Sequence, residues 1–287
     1  MSRILVSGAT GRVGRKLVES LLRSGEKVNV LSRAQKKLAA LQALGSNTFI
    51  GDLNQIDDVR AAMLGCDRLM SVQPNTLNQS EQEIQLFEVA KRAGIKQIVK
   101  LSTAKARINS ECYFFQQHAV AERYLLESDL SFSILRSNSF MENFLWFAGE
   151  INHYGSVSLS LGDAKTEPVA IQDVVQVATV LLTRTEQQRK TYNVTGIEAL
   201  SMREITAIIS TVADAKIEYI NVSSAEFSRT LHQTKLPAWY REAIVRAWEV
   251  ARREQPIVTS VVYNVGEKQP TTFEQFIQTH KQLFQKC

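Results

Sequence analysis

The hydrophobic positions in the first half of the chain follow two alternating periods. Short apolar runs, typical of buried strands, are separated by stretches in which apolar residues recur every three or four positions, as on the buried face of a helix. Gly25, Gly45, Gly65 and Gly94 each follow one of these helical stretches, where a left-handed residue commonly ends a helix. The predicted strands are residues 4–6, 28–31, 48–50, 68–72, 97–101 and 132–135, and the predicted helices are residues 13–22, 38–44, 57–64, 81–93 and 118–127.

A chain that alternates strand and helix in this way folds as a parallel sheet with helices on both faces and right-handed crossovers. We therefore expect an α/β fold with a doubly wound Rossmann sheet. After residue 136 the pattern changes, and residues 137–162, which show no clear period, are expected to form an irregular segment over the sheet. Further along, Ser201 and Glu204 have the spacing of a capping box that starts a helix. The remaining predicted elements are helices 174–182, 201–212, 224–231, 239–252 and 273–283 and strands 191–194 and 217–222.

This change of pattern predicts two parts of unequal size. Residues 1–136 form the Rossmann core, to which residues 168–196 return. Residues 137–167 and 197–287 form a smaller C-terminal α/β lobe for a substrate or a partner. We expect this lobe to lie over the carboxyl ends of the strands, because open parallel sheets bind their ligands there.

Composition narrows the class of protein. Of 287 residues, 44% are hydrophobic and 22% are charged, as in ordinary globular proteins. The net charge of +5 is spread along the chain without the basic stripe or reading motif of a nucleic-acid binder, so no nucleic-acid partner is expected. No apolar run approaches the length of a membrane span, and the chain opens directly on a strand, so we expect neither a membrane segment nor a cleaved leader. Cys66, Cys112 and Cys287 are far apart, as in a reduced cytoplasmic protein, and the four scattered histidines predict no metal site.

The turn after the first strand carries the most informative motif. Gly8, Gly11 and Gly14 form a G-x-x-G-x-x-G pattern between a predicted strand and a predicted helix. In this setting one glycine allows the tight turn, another lets the backbone approach a pyrophosphate, and the third lets helix and strand pack closely. The helix N-terminus attracts the negative charge. We therefore predict a dinucleotide site rather than an ordinary turn. Its expected contacts are Gly8, Thr10, Gly11, Arg12 and Val13.

The end of the second strand distinguishes the two nicotinamide dinucleotides. NAD-binding proteins place an acidic residue here to accept a hydrogen bond from the ribose 2′-hydroxyl, whereas this chain has Arg33. A guanidinium suits the 2′-phosphate of NADP, in a charge-assisted contact of about 1.5–3 kcal/mol. For Lys36 and Lys37, which follow, a solvated helix start is at least as good an account. The predicted cofactor is NADP(H).

The ends of the later strands supply further candidate cofactor contacts by their position alone. Asp52 and Leu53, after the third strand, should reach the adenine edge. Gln73, after the fourth strand, should lie along the cofactor, and Ser102, after the fifth, should lie near the nicotinamide.

Together these features resemble the NmrA-like proteins, a family of atypical short-chain dehydrogenases and reductases, and especially its quinone-reductase-like branch. The resemblance extends over essentially the whole chain. Its motifs are residues 7–14, 32–33, 51–53, 93–99, 135–136, 140–143, 172–174, 192–196 and 273–276. The resemblance implies a Rossmann core, a small C-terminal substrate lobe and NAD(P) binding. It leaves the reaction open, because the family includes quinone and dye reductases, isoflavone-type reductases and redox-sensing regulators with little or no catalysis.

A catalytic centre is harder to find in the sequence. Typical short-chain dehydrogenases place a lysine four residues after a tyrosine, which lowers the pKa of the phenol. None of the seven tyrosines here is followed by lysine at that position, which disfavours alcohol-dehydrogenase and sugar-nucleotide-epimerase chemistry. His118, at the expected start of the helix before the sixth strand, has a spacing similar to that of the lysine in isoflavone-reductase-like relatives, and Glu122 lies one turn on. His118 is therefore the candidate proton donor beside the nicotinamide, against the equal alternative of a surface histidine or one that contacts only the cofactor ribose.

Aromatic residues offer a place for a flat acceptor, although each of them fits a core position equally well. The candidates are Phe114, Phe115, Phe140, Phe144, Trp146 and Phe147. Among residues after the sixth strand, Asn138 and Phe140 are the expected substrate contacts.

Two functions fit these observations. The leading one is an NADPH-dependent reductase of a quinone or a similar small conjugated acceptor, because hydride transfer from the cofactor requires no acid from the protein. The alternative is a non-catalytic NADP(H)-sensing regulator that binds a protein partner. In either case we expect a cytoplasmic protein without a membrane contact, and the sequence leaves a homodimer open.

Overall fold

The computed structural model describes residues 2–184, 186 and 188–285. In chain order its strands are β1 Arg3–Val6, β2 Lys27–Ser32, β3 Asn47–Ile50, β4 Arg68–Ser71, β5 Gln97–Thr103, β6 Phe132–Ser137, β7 Ser156–Leu159, β8 Lys165–Thr166, β9 Arg189–Val194, β10 Leu200–Ser201 and β11 Glu218–Asn221. Its α-helices are α1 Arg12–Arg23, α2 Gln35–Ala43, α3 Ile56–Met63, α4 Gln79–Arg92, α5 Tyr113–Glu127, α6 Ala148–Tyr154, α7 Ile171–Thr183, α8 Met202–Ala213, α9 Ser224–His232, α10 Ala238–Arg253, α11 Val261–Asn264 and α12 Phe273–Thr279. Short 3-10 helices span Met141–Phe147 and Lys281–Phe284.

Seven strands form one parallel sheet in the order β3-β2-β1-β4-β5-β6-β9. The chain runs outward from β1 to β3, then crosses to β4 on the other side of β1 and continues outward to β9. This reversal is the topological switch point, and the crevice at the carboxyl ends of β1 and β4 is where sheets of this kind bind ligands. The Rossmann α/β fold expected from the sequence is confirmed.

Helices cover both faces of this sheet, which buries its strands on both sides. On one face α1, α2 and α7 pack against the sheet, and on the other face α3, α4 and α5 do so. Alternate residues of β1 serve the two faces, as the two-residue period of a strand requires. Ile4 and Val6 contribute to the α1 side, and Leu5 contributes to the α4 side.

A separate hydrophobic cluster lies in the C-terminal part of the chain. Residues of the first 3-10 helix and of α6, α8, α9 and α12 contribute to it. Two small sheets complete this region: β7 pairs in parallel with β11, and β8 pairs antiparallel with β10.

Residues 137–162 are not irregular, and the expectation from the sequence is wrong here. They contain the first 3-10 helix, α6 and β7. Phe144 packs edge-on against Phe273, with 5.2 Å between ring centroids, and Gly155 ends α6 in the left-handed conformation with a φ of 67°. Three short elements with different periods follow one another within a few residues, so no single period is visible in the sequence.

The capping box expected at the start of α8 is confirmed. The backbone N–H of Glu204 donates to Ser201 Oγ, and the backbone N–H of Ser201 donates to the Glu204 carboxylate. Hydrogen bonds from Lys165 and from Ser201 lower the pKa of Glu204 to about 2. The helix predicted over residues 273–283, in contrast, ends at Thr279 and is followed by the second 3-10 helix.

Within the described residues, none of the helices is both long enough and apolar enough to cross a membrane. Cys66 and Cys112 are buried free thiols, and burial raises the pKa of Cys66 to about 11. Cys287 lies outside the described residues.

Two helical glycines should respond in opposite ways to alanine. At Gly14 in α1, an added Cβ would lie 2.3 Å from the Gly8 carbonyl oxygen and 2.8 Å from Ala9 Cα. At Gly149 in α6, nothing lies within 4 Å of the added atom. We expect Gly14→Ala to lower the free energy of unfolding by about 1–3 kcal/mol and Gly149→Ala to raise it by about 0.5–1 kcal/mol, as measured by urea unfolding. Equal effects in the two variants would contradict the close packing at Gly14.

Candidate functional site

The three glycines of the loop between β1 and α1 have different surroundings. Gly8 has a φ of 62°, and a Cβ there would lie 2.2 Å from the Val72 carbonyl oxygen, so the loop lies directly against the end of β4. A Cβ at Gly14 would collide with the backbone of the same loop. A Cβ at Gly11 would meet only the Gly8 carbonyl oxygen, at 3.2 Å, and Gly11 is exposed. Gly8 and Gly14 are therefore required by packing, whereas Gly11 leaves an open backbone surface toward the crevice.

The N-terminus of α1 at this loop carries no capping side chain. Gly11 occupies the N-cap position, and no acidic residue lies in the first turn. The first backbone N–H groups of a helix have no acceptor within the helix, and together they form a partial positive charge suited to a phosphate. Val13 points its side chain into the sheet-facing core, so only its backbone is placed for the predicted contact, and Thr10 is partly exposed on the loop.

Arg12 connects this loop to the first 3-10 helix. Its guanidinium donates a hydrogen bond to Asn143 Oδ1 at 3.2 Å and stacks over the Trp146 ring at 5.1 Å from the centroid. Both partners belong to the first 3-10 helix, and Trp146 is 71% exposed. These two contacts hold the side chain of Arg12 beside the glycine loop.

Arg33 lies at the end of β2, as the sequence predicts. Its guanidinium is 78% exposed and pairs with Asp52 Oδ2 at 3.3 Å. Asp52 is held more firmly, since its other carboxylate oxygen accepts hydrogen bonds from the backbone and side chain of Asn54. Asp58 in turn accepts a hydrogen bond from the Asp52 backbone at 2.9 Å. The arrangement leaves most of the guanidinium of Arg33 free for an anion, while Leu53 packs partly against the core of the α4 face.

Gln73 and Ser102 differ in what they offer to a ligand. Gln73 is half-buried after β4, and its Nε2 has no hydrogen-bond partner within the described residues. Ser102 is buried, and its Oγ donates to Glu122 Oε1 at 2.5 Å. The Glu122 carboxylate also accepts from Arg136, whose Nε–H is shared between both oxygens at 3.1 Å and whose Nη2 donates at 2.5 Å. An unpartnered donor at Gln73 suits the predicted cofactor contact, whereas the side chain of Ser102 is directed into the core beneath α5.

His118 lies inside α5 rather than at its start, because the helix begins five residues earlier, at Tyr113. The helical spacing suggested a contact between His118 and Glu122, but Glu122 pairs with Ser102 and Arg136 instead. His118 faces a buried polar cluster formed by Ser71, Gln79, Glu83 and Lys100. Lys100 Nζ and Gln79 Nε2 lie 3.4 and 3.1 Å from His118 Nδ1. Burial, and then the neighbouring Lys100 ammonium, lower the pKa of His118 well below its ordinary value.

Lys100 and Glu83 form the centre of this cluster and are completely buried. Lys100 Nζ donates to the two carboxylate oxygens of Glu83 at 2.7 and 2.6 Å. Glu83 also accepts a hydrogen bond from Ser71 Oγ at 2.8 Å and a longer one from Gln79 Nε2 at 3.4 Å. A buried charged pair is costly unless it is fully hydrogen-bonded, and this one is. This pair was not predicted from the sequence. The lysine within the apolar strand β5 could have indicated it, because both faces of such a strand are buried and a charge there needs a partner.

The predicted substrate contacts Asn138 and Phe140 already have partners within the protein. Asn138 Nδ2 donates to Glu167 Oε2 at 2.5 Å, and the buried Glu167 also accepts a hydrogen bond from the Ile257 backbone. Phe140 packs against the sheet core, and its backbone forms an isolated parallel β-bridge with Val169. Their role as substrate contacts stays a prediction, and the side chain of Asn138 has one structural partner already.

The aromatic candidates do not form one pocket. Phe144 belongs to the hydrophobic cluster in the C-terminal part of the chain, Phe147 packs against that cluster, and Trp146 lies on Arg12. Phe114, at the N-terminal end of α5, packs instead against Tyr240, with 4.8 Å between ring centroids, and against Trp239 at 6.1 Å. The two residues of α10 were missed in the sequence, because no spacing links them to α5.

Ion pairs fasten the loop between β5 and α5 to the end of α10. Glu254 pairs with Lys105 and with Arg107, each at 2.7 Å, and Arg253 pairs with Glu111 at 2.8 Å. This contact holds α10 and its aromatic residues beside the N-terminal half of α5, where His118 lies.

The chain is similar to several nicotinamide-dependent reductases. The chain is 27% identical to an NAD(P)H azoreductase of Xenophilus azovorans, over 98% of this chain and 99% of that one. Its fold matches the NADPH-dependent quinone oxidoreductase from Escherichia coli, solved as a complex with NADPH, with a TM-score of 0.88, 22% identity, and coverage of 96% of this chain and 99% of that one. It also matches the Citrobacter triphenylmethane reductase complexed with NADP(H), with a TM-score of 0.84, 21% identity, and coverage of 97% and 99%.

The family model for NmrA-like proteins matches residues 1–277, which is nearly the whole chain. The resemblance noted in the glycine loop, the strand ends and the last helix is therefore confirmed. The chain belongs to the NmrA-like family.

Proposed function

We propose that this protein binds NADP(H) and uses it to reduce a small conjugated acceptor, such as a quinone or a dye. The observation that carries the proposal is the crevice at β1 and β4, where an uncapped helix N-terminus lies beside the open backbone of Gly11. Full-length similarity to an NAD(P)H azoreductase supports the reductase activity. The names of the quinone oxidoreductase and triphenylmethane reductase with the same fold suggest which acceptors to test first.

The residues of the crevice fit a phosphorylated dinucleotide. The backbone of the glycine loop would hold the pyrophosphate, Arg33 would bind the 2′-phosphate, and the unpartnered Nε2 of Gln73 would donate to an acceptor on the cofactor. Bound NADPH supplies the hydride. The protein then contributes orientation and a dry crevice. We propose that the lobe formed by residues 137–167 and 197–285 covers the acceptor.

The balance of the reaction shows what the protein must provide. A quinone takes up a hydride and a proton and becomes a hydroquinone, while NADPH becomes NADP⁺. The hydride leaves an anionic oxygen on the acceptor until the proton arrives. A hydrogen-bond donor near that oxygen would lower the barrier. We propose His118 of α5 as this donor.

Substitution of Gly11 tests the cofactor site directly. A side chain at this position changes the surface of the loop more than its packing, since its Cβ meets only Gly8. We expect Gly11→Val to abolish NADPH binding in calorimetry while the protein still unfolds cooperatively. The matched variant Gly149→Ala, in α6, should bind NADPH as the wild type does. NADPH binding retained in Gly11→Val would show that the loop is an ordinary turn.

Substitution of Arg33 tests the choice between the two dinucleotides. Loss of a charge-assisted contact of about 1.5–3 kcal/mol should weaken NADP(H) binding roughly 10- to 100-fold in Arg33→Ala. NAD(H), which has no 2′-phosphate, should be affected little. Lys37→Ala, a neighbouring exposed change, serves as the control. A wild type that prefers NAD(H), or an unchanged preference in Arg33→Ala, would contradict this assignment.

Turnover decides between an enzyme and a regulator. We expect the wild type to oxidise NADPH steadily in the presence of a quinone, an azo dye or a triphenylmethane dye, and Gly11→Val to be inactive. His118→Ala should lower kcat/KM by about 10²-fold or less, because such acceptors need little acid assistance. Tight NADPH binding without turnover of any acceptor would reject the reductase and favour the NADP(H)-sensing regulator. Full activity in His118→Ala would remove His118 from the mechanism.

A further inference from the structure

The surroundings of His118 decide which of its ring nitrogens carries a proton. The Lys100 ammonium lies 3.4 Å from Nδ1. An ammonium group has only hydrogen atoms to offer. Nδ1 must therefore accept, and the proton of the neutral ring resides on Nε2.

The Gln79 amide does not distinguish the two ring nitrogens. Its Nε2 lies 3.1 Å from His118 Nδ1 and 3.3 Å from His118 Nε2, and it also donates to Glu83 Oε2 at 3.4 Å. Rotation of the amide by half a turn would place its oxygen at the same two distances. The contact of the Lys100 ammonium with Nδ1 therefore decides the tautomer.

Lys100 is itself fixed in place by charge and burial. Glu83, from α4, holds the ammonium through both carboxylate oxygens, and the cluster is sealed from solvent. The other nearby carboxylate, Glu122 of α5, is engaged with Ser102 and Arg136. A doubly protonated imidazole would point its Nδ1–H at the Lys100 ammonium, with no carboxylate contact of its own to compensate.

We propose that Lys100 is a positioning residue that holds His118 in the neutral Nε2–H tautomer, so that the imidazole meets the acceptor as a hydrogen-bond donor and not as an acid. The donor role rests on the proposed reductase function. The low pKa of His118 agrees with it. In the reaction the Nε2–H group stabilises the negative charge left on the acceptor by the hydride, and the proton that completes the product comes from water. His118 then ends each turnover in the protonation state in which it began.

Nitrogen NMR of the imidazole rings tests the tautomer without any turnover. The His118 signals are assigned by their absence in His118→Ala. Between pH 5.5 and pH 8 we expect Nε2 to carry hydrogen and Nδ1 to lack it, with no change over the range. In Lys100→Met/Glu83→Leu, which removes the whole buried pair and leaves no uncompensated charge, the pKa of His118 should move toward its ordinary value of about 6.5 and both neutral tautomers should appear.

The matched control is Lys96→Met, which removes an exposed lysine just before β5 and should leave the His118 signals unchanged. An imidazolium or an Nδ1–H tautomer in the wild type would overturn the proposal. So would a folded Lys100→Met/Glu83→Leu variant whose His118 titrates as in the wild type.

Two isosteric variants test the donor role. The side-chain amide nitrogen of glutamine can occupy the place of imidazole Nε2, whereas that of asparagine occupies the place of Nδ1. We expect His118→Gln to keep kcat within roughly tenfold of the wild type, whereas kcat of His118→Asn should fall as far as that of His118→Ala. KM should change little in all three variants. Equal losses in the glutamine and asparagine variants would overturn the donor role. An inactive wild type would overturn it together with the reductase function, and the NMR spectra would still decide the role of Lys100.

Discussion

Burial of the parallel sheet on both faces is the constraint on which the rest of the structure depends. A polar group placed in such a strand has no water to bind and must find its partner within the protein. Lys100 meets this requirement through Glu83, and Ser102, two residues further along the same strand, meets it through Glu122. Two polar networks therefore begin inside the core of the α4 and α5 face and extend to the carboxyl edge, where His118 and Arg136 lie.

The glycine loop and the alternation of strands and helices were predictable because their causes are local. The apolar runs, the glycines at helix ends and the G-x-x-G-x-x-G spacing all act within a few residues of one another. The separate requirements at Gly8 and Gly14, a left-handed turn against β4 and a close approach of helix to loop, are those the motif implies. The basic residue at the end of β2 was placed by the same reasoning, since strand ends converge on one edge of a parallel sheet.

The partners of the site residues could not be predicted, because a position on a strand end identifies an edge but not a contact. Ser102 and Asn138 lie near the expected edge, yet their side chains bind Glu122 and Glu167. The helical spacing suggested Glu122 as the partner of His118, whereas α5 turns His118 toward a lysine on a neighbouring strand. Phe144 packs in the second hydrophobic cluster against Phe273, more than a hundred positions away, and no spacing in the sequence predicts such a contact.

The contact of Arg12 with Asn143 and Trp146 has a thermodynamic consequence for the order of events at the site. A phosphate bound at the glycine loop would compete for the same guanidinium that fastens the first 3-10 helix to the loop. Cofactor binding and the placement of this segment would then be linked equilibria, and the linkage would be reciprocal. An acceptor that favours one placement of the segment would then change the affinity of the protein for the dinucleotide by some factor. The dinucleotide would change the affinity for the acceptor by the same factor.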